Sequence, residues 1–388
     1  MIYNITIENF FSIADSQRIS FSVPGNAPEL PCFKASSIDK NIRLPSVIGF
    51  FGPNASGKTT VLRAIFSAVI FACKSFEWEH AGQMFQSYRQ KDWLDKPTKI
   101  IIDFDNKLNN KAESAMFRYE LHISHKNLQT KKVLYEALSY APKGKYRSLF
   151  ERKGQEFYFS NEFGISKKDD PRKESIRPNA SVISTLTKLN HYINQQMGAM
   201  QIHGFHGFET TSQWLELYYR DKKCLEHLNK ELRRLNIGLE AMFVEKSGLG
   251  LFAKFKHMGL DDFIFFQEES AGTPRFVEIF PGLHYALETG SIAVFDEIDT
   301  DLHPLLLPEL FRWFNDPERN RYGAQLLFAA HNPTLLDELE KGQIFFTEKP
   351  SGQASYVYGA RDIKGLRREP SLMKKYLSGE LGAIPHIG

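Results

Sequence analysis

The residues whose types and spacing most directly imply a chemistry are Gly52-Pro53-Asn54-Ala55-Ser56-Gly57-Lys58-Thr59. Two glycines separated by four residues, then a lysine and a hydroxyl residue, form the pattern of a loop that wraps backbone N–H groups around a phosphate. Glycine accepts the backbone angles needed to turn consecutive amides inward. A following helix aims its partly positive N-terminus at the same anion. Lys58 is then expected to reach the β- and γ-phosphates of ATP, and the Thr59 hydroxyl to ligate Mg²⁺. Thr60, next in the helix, is grouped with them as nucleotide-binding. A plain glycine turn would carry similar residues, but here the apolar strand Val47 to Phe51 precedes the loop and a helix follows, as the mechanism demands.

A second constellation lies far along the chain. Ser291 to Phe295 reads as a buried strand that ends in Asp296-Glu297. At the carboxyl edge of a parallel sheet, Asp296 would hold Mg²⁺ directly or through water, and Glu297 would orient or deprotonate the attacking water. Such a pair in isolation is commonly a solvated turn; the phosphate loop gives it its meaning. His331 follows the strand Gln325 to Ala329, where a ring nitrogen can contact the γ-phosphate and sense its loss.

These groups need elements to position them. Ile2 to Ile7 alternates as a strand, with Ile19 to Val23 its expected antiparallel neighbour, and the Pro/Gly/Ser-rich stretch Pro24 to Ser37 reads as a loop. The helix after the phosphate loop is expected from Lys58 to about Phe76. Short alternating runs from Ile100 to Phe159 predict a β-rich subdomain beside it. Ser166 to Arg177 is charged and reads as an exposed linker. Arg177 to about Leu239 is expected to be mostly helical, with Leu225, Leu228, Leu232, Leu235 and Leu239 forming one seam. Strands and helices then alternate to the end, including helices at Leu305 to Phe314 and Pro333 to Leu339. Residues 1–175 are read as an N-terminal lobe, 176–240 as a helical insertion and 241–388 as a C-terminal lobe.

The 388 residues exceed one ordinary core. With 42% hydrophobic and 24% charged residues, the composition is that of a globular chain. The 32 phenylalanines predict an aromatic interior or a buried subunit interface. A net charge of +3 demands neither nucleic acid nor membrane, so any basic surface must be local. Cys32, Cys73 and Cys224 are widely spaced and read as reduced thiols of a cytoplasmic protein. Neither a signal peptide nor a membrane span is expected.

Two strands ahead of the phosphate loop resemble the head domains of ABC-type ATPases of the SMC and RecF-like kind. The resemblance implies an α/β fold: an ABC-type P-loop NTPase head with a β-rich subdomain and a helical insertion. It makes His331 the switch histidine. It also assigns Ser270 and Gly272, in Glu269-Ser270-Ala271-Gly272-Thr273 before a helix, to the turn that meets the γ-phosphate held by an opposite subunit. The usual Gly-Gly-Gln ending is Gly272-Thr273-Pro274 here. A glutamine contacting the nucleotide is expected between the first helix and the β-subdomain, with Gln83, Gln86 and Gln90 all available.

The run Asp296-Glu297-Ile298-Asp299-Thr300-Asp301-Leu302-His303-Pro304 narrows the resemblance, together with His331-Asn332-Pro333 and the ending Tyr376 to Pro385. It is similar to abortive-infection ATPases of the RloA and AbiL type, relatives of the ATPase half of OLD (overcoming lysogenization defect) proteins. The likeness spans the chain, with its motifs confined to Ile2 to Ala64 and Phe265 to Pro385. It implies a homodimer or higher even-numbered oligomer around Mg·ATP that regulates a separately encoded effector, a nuclease or toxin, in anti-phage defence. Two departures are Ala330, where the family commonly has Thr, and the lack of a following Toprim acidic cluster.

Basic clusters at Arg361, Lys364, Arg367, Arg368, Lys374 and Lys375, and at Lys131, Lys132, Lys143, Lys145, Arg147, Arg152 and Lys153, leave nucleic acid as a further partner. A RecF-like repair ATPase and a non-hydrolysing nucleotide-dependent scaffold are the alternative functions.

Overall fold

The computed structural model describes all residues except 26, 108–113, 127–130, 143, 166–169, 192–200, 205–210, 236–237, 249, 367–370 and 386–388. Lys143, Arg367, Arg368 and part of the charged stretch after Ser166 therefore lie outside the described residues.

Alternation sets the first strands. β1 (Ile2–Glu8) buries Ile2, Ile5 and Ile7 and pairs antiparallel with β2 (Gln17–Ser20), Asn4 facing Ser20. The stretch read as a loop from Pro24 to Ser37 is partly strand. β3 (Val23–Pro24), β4 (Phe33–Ala35) and β5 (Ile42–Pro45) form a small sheet in the order β3-β5-β4, because Phe33 to Ala35 find backbone partners in Arg43 to Pro45. β6 (Val47–Phe51) enters the phosphate loop and α1 (Lys58–Lys74) leaves it. Next come β7 (Thr98–Lys107), β8 (Ser114–Ile123), β9 (Val133–Ala141), β10 (Arg147–Lys153) and β11 (Glu156–Phe159). Their meander continues onto the N-terminal hairpin, giving one antiparallel sheet ordered β11-β10-β9-β8-β7-β1-β2.

Among the described residues, the next segment is mostly helical, as its leucine pattern predicts, up to residue 235. It carries α2 (Val182–Lys188), α3 (Thr211–Arg220) and α4 (Lys222–Arg234), and between α2 and α3 the short β12 (Ile202–His203) lies parallel to β16 (Ile292–Phe295). The leucine seam stops at Leu235, the C-cap of α4. Gly238, at φ +83, turns the chain so that Leu239 opens β13 (Leu239–Ser247). β13 pairs with β14 (Gly250–His257) and that with β15 (Phe263–Phe265). Of the expected linker, Ile176 is buried and Arg177 lies 5.0 Å over the Phe76 ring, so its end is packed rather than exposed.

α5 (Gly272–Thr289) leads into β16, and α6 (Leu306–Asn315), β17 (Gln325–Ala329), β18 (Ile344–Glu348), β19 (Tyr356–Gly359) and α7 (Leu372–Leu377) follow. The expected helix at Pro333 is a 3-10 turn, Pro333–Glu338. The main sheet runs β12-β16-β17-β6-β18-β19, parallel except for β19. Both of its faces are covered, which explains why β6, β16 and β17 read as unbroken apolar runs. Ile48, Phe50, Val294 and Leu327 share a core with α1 and the seven-stranded sheet. Phe51, Phe295 and Phe328 face the opposite way, where Phe311 of α6 stacks on Phe328 at 4.9 Å. The phenylalanines fill these two interiors; Phe21 meets Phe345 edge to face at 5.4 Å.

Two cations counted as basic surface are inside. Lys131 is 4% exposed and donates to the Phe85 carbonyl and to His125 Nδ1. Arg152 is fully buried against Glu136, 3.6 Å away. Composition marks a cation but not its direction, and each of these points into the fold, where acceptors satisfy it. Among the described residues, no helix is long and apolar enough to cross a membrane, and the three cysteines are free.

Candidate functional site

The phosphate loop is shaped by what surrounds its glycines. Gly52 has φ +151 and Gly57 φ +115. A Cβ at Gly52 would come 2.7 Å from Thr347 Oγ1, and one at Gly57 would come 2.9 Å from Ser355 Oγ. Neither position admits a side chain, so β18 and Ser355, just ahead of β19, wall the loop tightly. Ala55 turns the loop at φ +61. Ser56 is fixed by a hydroxyl contact to Thr347, 2.5 Å, and Thr60 by one to Ser12, 2.9 Å.

Lys58 Nζ lies within the loop, donating to the carbonyls of Gly52 at 2.8 Å and Pro53 at 3.1 Å. Burial holds its ammonium below the ordinary lysine value, partly offset by the carboxylates of Asp296, Glu297 and Asp299. The phosphate-loop lysine and the acidic turn thus share one electrostatic environment.

β16 delivers that turn. The Thr59 hydroxyl lies beside the Asp296 carboxyl. Burial raises the Asp296 carboxyl above its usual range, and the Thr59 hydroxyl and the charge of Lys58 pull it back. Its Oδ1 is buried with no protein partner. A hydroxyl beside a carboxylate that keeps one oxygen orphaned is a donor set of the hard-oxygen kind that suits Mg²⁺. Thr59 and Asp296 would be its protein ligands.

Glu297 sits at φ +49, a left-handed conformation rare outside glycine and common where a turn is held for function. The turn is pinned: Arg275 Nη2 donates to the Glu297 carbonyl at 3.2 Å, and Ile298 N donates to Ala329 O at 3.1 Å. Its side chain projects, 57% exposed, to 3.6 Å from His331 Nε2. His331 reaches that point because β17 lies between β16 and β6 in the sheet.

A cleft of about 1140 Å³ joins these pieces, with Lys58, Thr59, Glu297 and His331 among its walls. Gln86 and Gln90 line it and Gln83 does not, so two of the three candidate glutamines face the cleft. Ser270 and Gly272 do not line it. Gly272 is already in the first turn of α5, and neither Ser270 nor Thr273 caps that helix, whose N-cap is Ala271 without a side-chain bond.

Sequence reasoning gave Asp299 no role. Its Oδ2 accepts from the backbone N–H of both His331, 2.8 Å, and Asn332, 2.7 Å, so the carboxylate fixes the turn that carries the histidine. Arg275, which clamps the Glu297 carbonyl from α5, was missed too. Asp299 lies in the acidic motif, but only the adjacency of β16 and β17 shows what it holds. Asp299→Ala is expected to cut nucleotide turnover about tenfold by loosening His331, and Asp299→Asn, which keeps an acceptor, by less. Steady-state phosphate release from both variants checks this.

Residues 47–337 match the family described as "AAA domain, putative AbiEii toxin, Type IV TA system". A search among curated proteins finds no match.

Proposed function

The chain belongs to this AAA-domain family, and on that premise we propose that it binds and hydrolyses ATP with Mg²⁺, dimerises around the nucleotide and regulates a separately encoded effector in bacterial anti-phage defence. The observation that carries the reading is the meeting of three distant segments in one cleft. Lys58 and Thr59 of the loop, Glu297 of the acidic turn and His331 line it together, and Glu297 lies 3.6 Å from His331.

The geometry supports one division of labour. The amides from Asn54 to Thr59 and the α1 N-terminus hold the phosphates, and Lys58 neutralises charge that grows on the γ-phosphoryl oxygens. Thr59 and Asp296 would hold Mg²⁺, which would supply Lewis-acid stabilisation of the phosphate charge. Glu297 accepts a proton from the attacking water, and His331 holds the carboxylate and the γ-phosphate in register. Ser270 and Gly272 lie outside the cleft of their own chain, as a role across a dimer requires. A resemblance to RloA- and AbiL-type proteins supports the defence setting. The DNA-loading alternative loses Lys131 and Arg152 to the interior.

The test is phosphate release by purified protein with ATP and Mg²⁺, followed beside light scattering. We expect slow release and a doubling of mass on nucleotide binding. Binding without release would instead make the chain a nucleotide-dependent scaffold.

A further inference from the structure

Away from the nucleotide cleft, α4 packs against the C-terminal half of α5, and a cavity of about 300 Å³ lies at their junction. Three metal-ligating side chains meet there. His284 and Glu288 stand one helical turn apart on α5, the i, i+4 spacing that puts two ligands on one face. His227 projects from α4 with its ring 4.8 Å from that of His284, edge to face. One donor atom from each of the three lies within 4.8 Å of the others.

One feature separates this group from an ordinary pair of packed histidines. Among the described residues, the contacts of both imidazoles are ring contacts only: no ring nitrogen of His227 or His284 is hydrogen-bonded to the protein. Three cations stand near the cavity, Lys230 among its walls. Arg319 is bound to Glu231 at 2.7 Å and stacks on Trp313 at 3.8 Å, while the exposed Lys223 stands 3.7 Å from Glu288.

We propose that His227, His284 and Glu288 form a transition-metal site that takes Zn²⁺ or a similar divalent ion and staples α4 to α5. Two imidazoles and one carboxylate are a donor set that zinc accepts in tetrahedral geometry with the fourth position left to water. Bonds of about 2.0 Å place tetrahedral donors roughly 3.3 Å apart, so closure needs only side-chain rotation by the exposed Glu288 and the half-buried His227. Mg²⁺, which prefers an all-oxygen octahedron, does not compete. The site lies about 18 Å along α5 from Gly272, at 1.5 Å per residue. The opposite end of that helix carries Arg275, which holds the Glu297 carbonyl, so the metal would fix the helix that also braces the catalytic turn.

The test uses the full chain, stripped with a chelator and returned to excess Mg²⁺. Co²⁺ is titrated while its visible d–d absorption is followed, and Zn²⁺ is titrated by calorimetry. We expect one equivalent of either ion, with the intense absorption of tetrahedral Co²⁺. His227→Ala and His284→Ala should each weaken binding at least about 100-fold, and Glu288→Gln, a surface change that spares folding, about tenfold. Failure of the wild-type chain to take up Co²⁺ overturns the proposal. So does wild-type affinity in the folded histidine variants, and unchanged affinity in Glu288→Gln removes the carboxylate from the site.

Discussion

Glu297→Gln is expected to lower ATP turnover by about 10²–10⁴ while leaving the nucleotide bound, the range over which a positioned general base acts. The substitution is confined to one proton-accepting oxygen. Arg275 holds the backbone carbonyl of residue 297 rather than its carboxylate, so the turn keeps its clamp. The strain of φ +49 is the same for the amide as for the acid. The amide can still contact His331, 3.6 Å away, and the phosphate loop is untouched. Single-turnover phosphate release, measured beside retention of labelled ATP on the protein, separates the two effects. Hydrolysis at the wild-type rate would take the base role from Glu297.

Lys58→Met should reduce turnover by about 10²–10³, the loss seen when one preorganised electrostatic contact to a transition state is removed, and weaken nucleotide binding with it. The nucleotide-free protein, in contrast, should unfold at no lower a temperature. Lys58 is 5% exposed, and burial holds its ammonium below the ordinary value of 10.5. The protonated form is thus less stable in the fold than in the unfolded chain. Between its folded pKa and 10.5 the unfolded chain binds more protons, so wild-type stability rises with pH across that window. Methionine keeps the aliphatic stem and removes the charge, so that rise should flatten in the variant. Urea unfolding at neutral and alkaline pH reads the difference. Turnover equal to the wild type would show that Lys58 does not reach the phosphates.

Much of the nucleotide cleft is local, and local patterns are legible. The strand, glycine loop and helix from Val47 to Lys74 fold as read because each residue's neighbours in sequence are also its neighbours in space. The parallel strands were legible too, as apolar runs covered on both faces. The leucine seam misled at its end because Leu239 follows a positive-φ glycine and pairs with His257 in a sheet, a partner that periodicity does not reveal. Lys131 and Arg152 misled for the reverse reason: a charge in sequence says nothing about whether a buried acceptor awaits it.

By itself the sequence determined the anion-binding chemistry of Gly52 to Thr59, the acids at the end of β16 and the α/β class, since these rest on residue type and short spacing. The tertiary structure alone decided how they meet. The chain runs β6, β16, β17, but the sheet orders them β16-β17-β6. That insertion sets His331 between the phosphate loop and the acidic turn, lets Asp299 reach across to hold it, and brings Gln86 and Gln90 rather than Gln83 to the cleft. Strand order is settled by which apolar faces bury together over the whole core, so no window of sequence contains it.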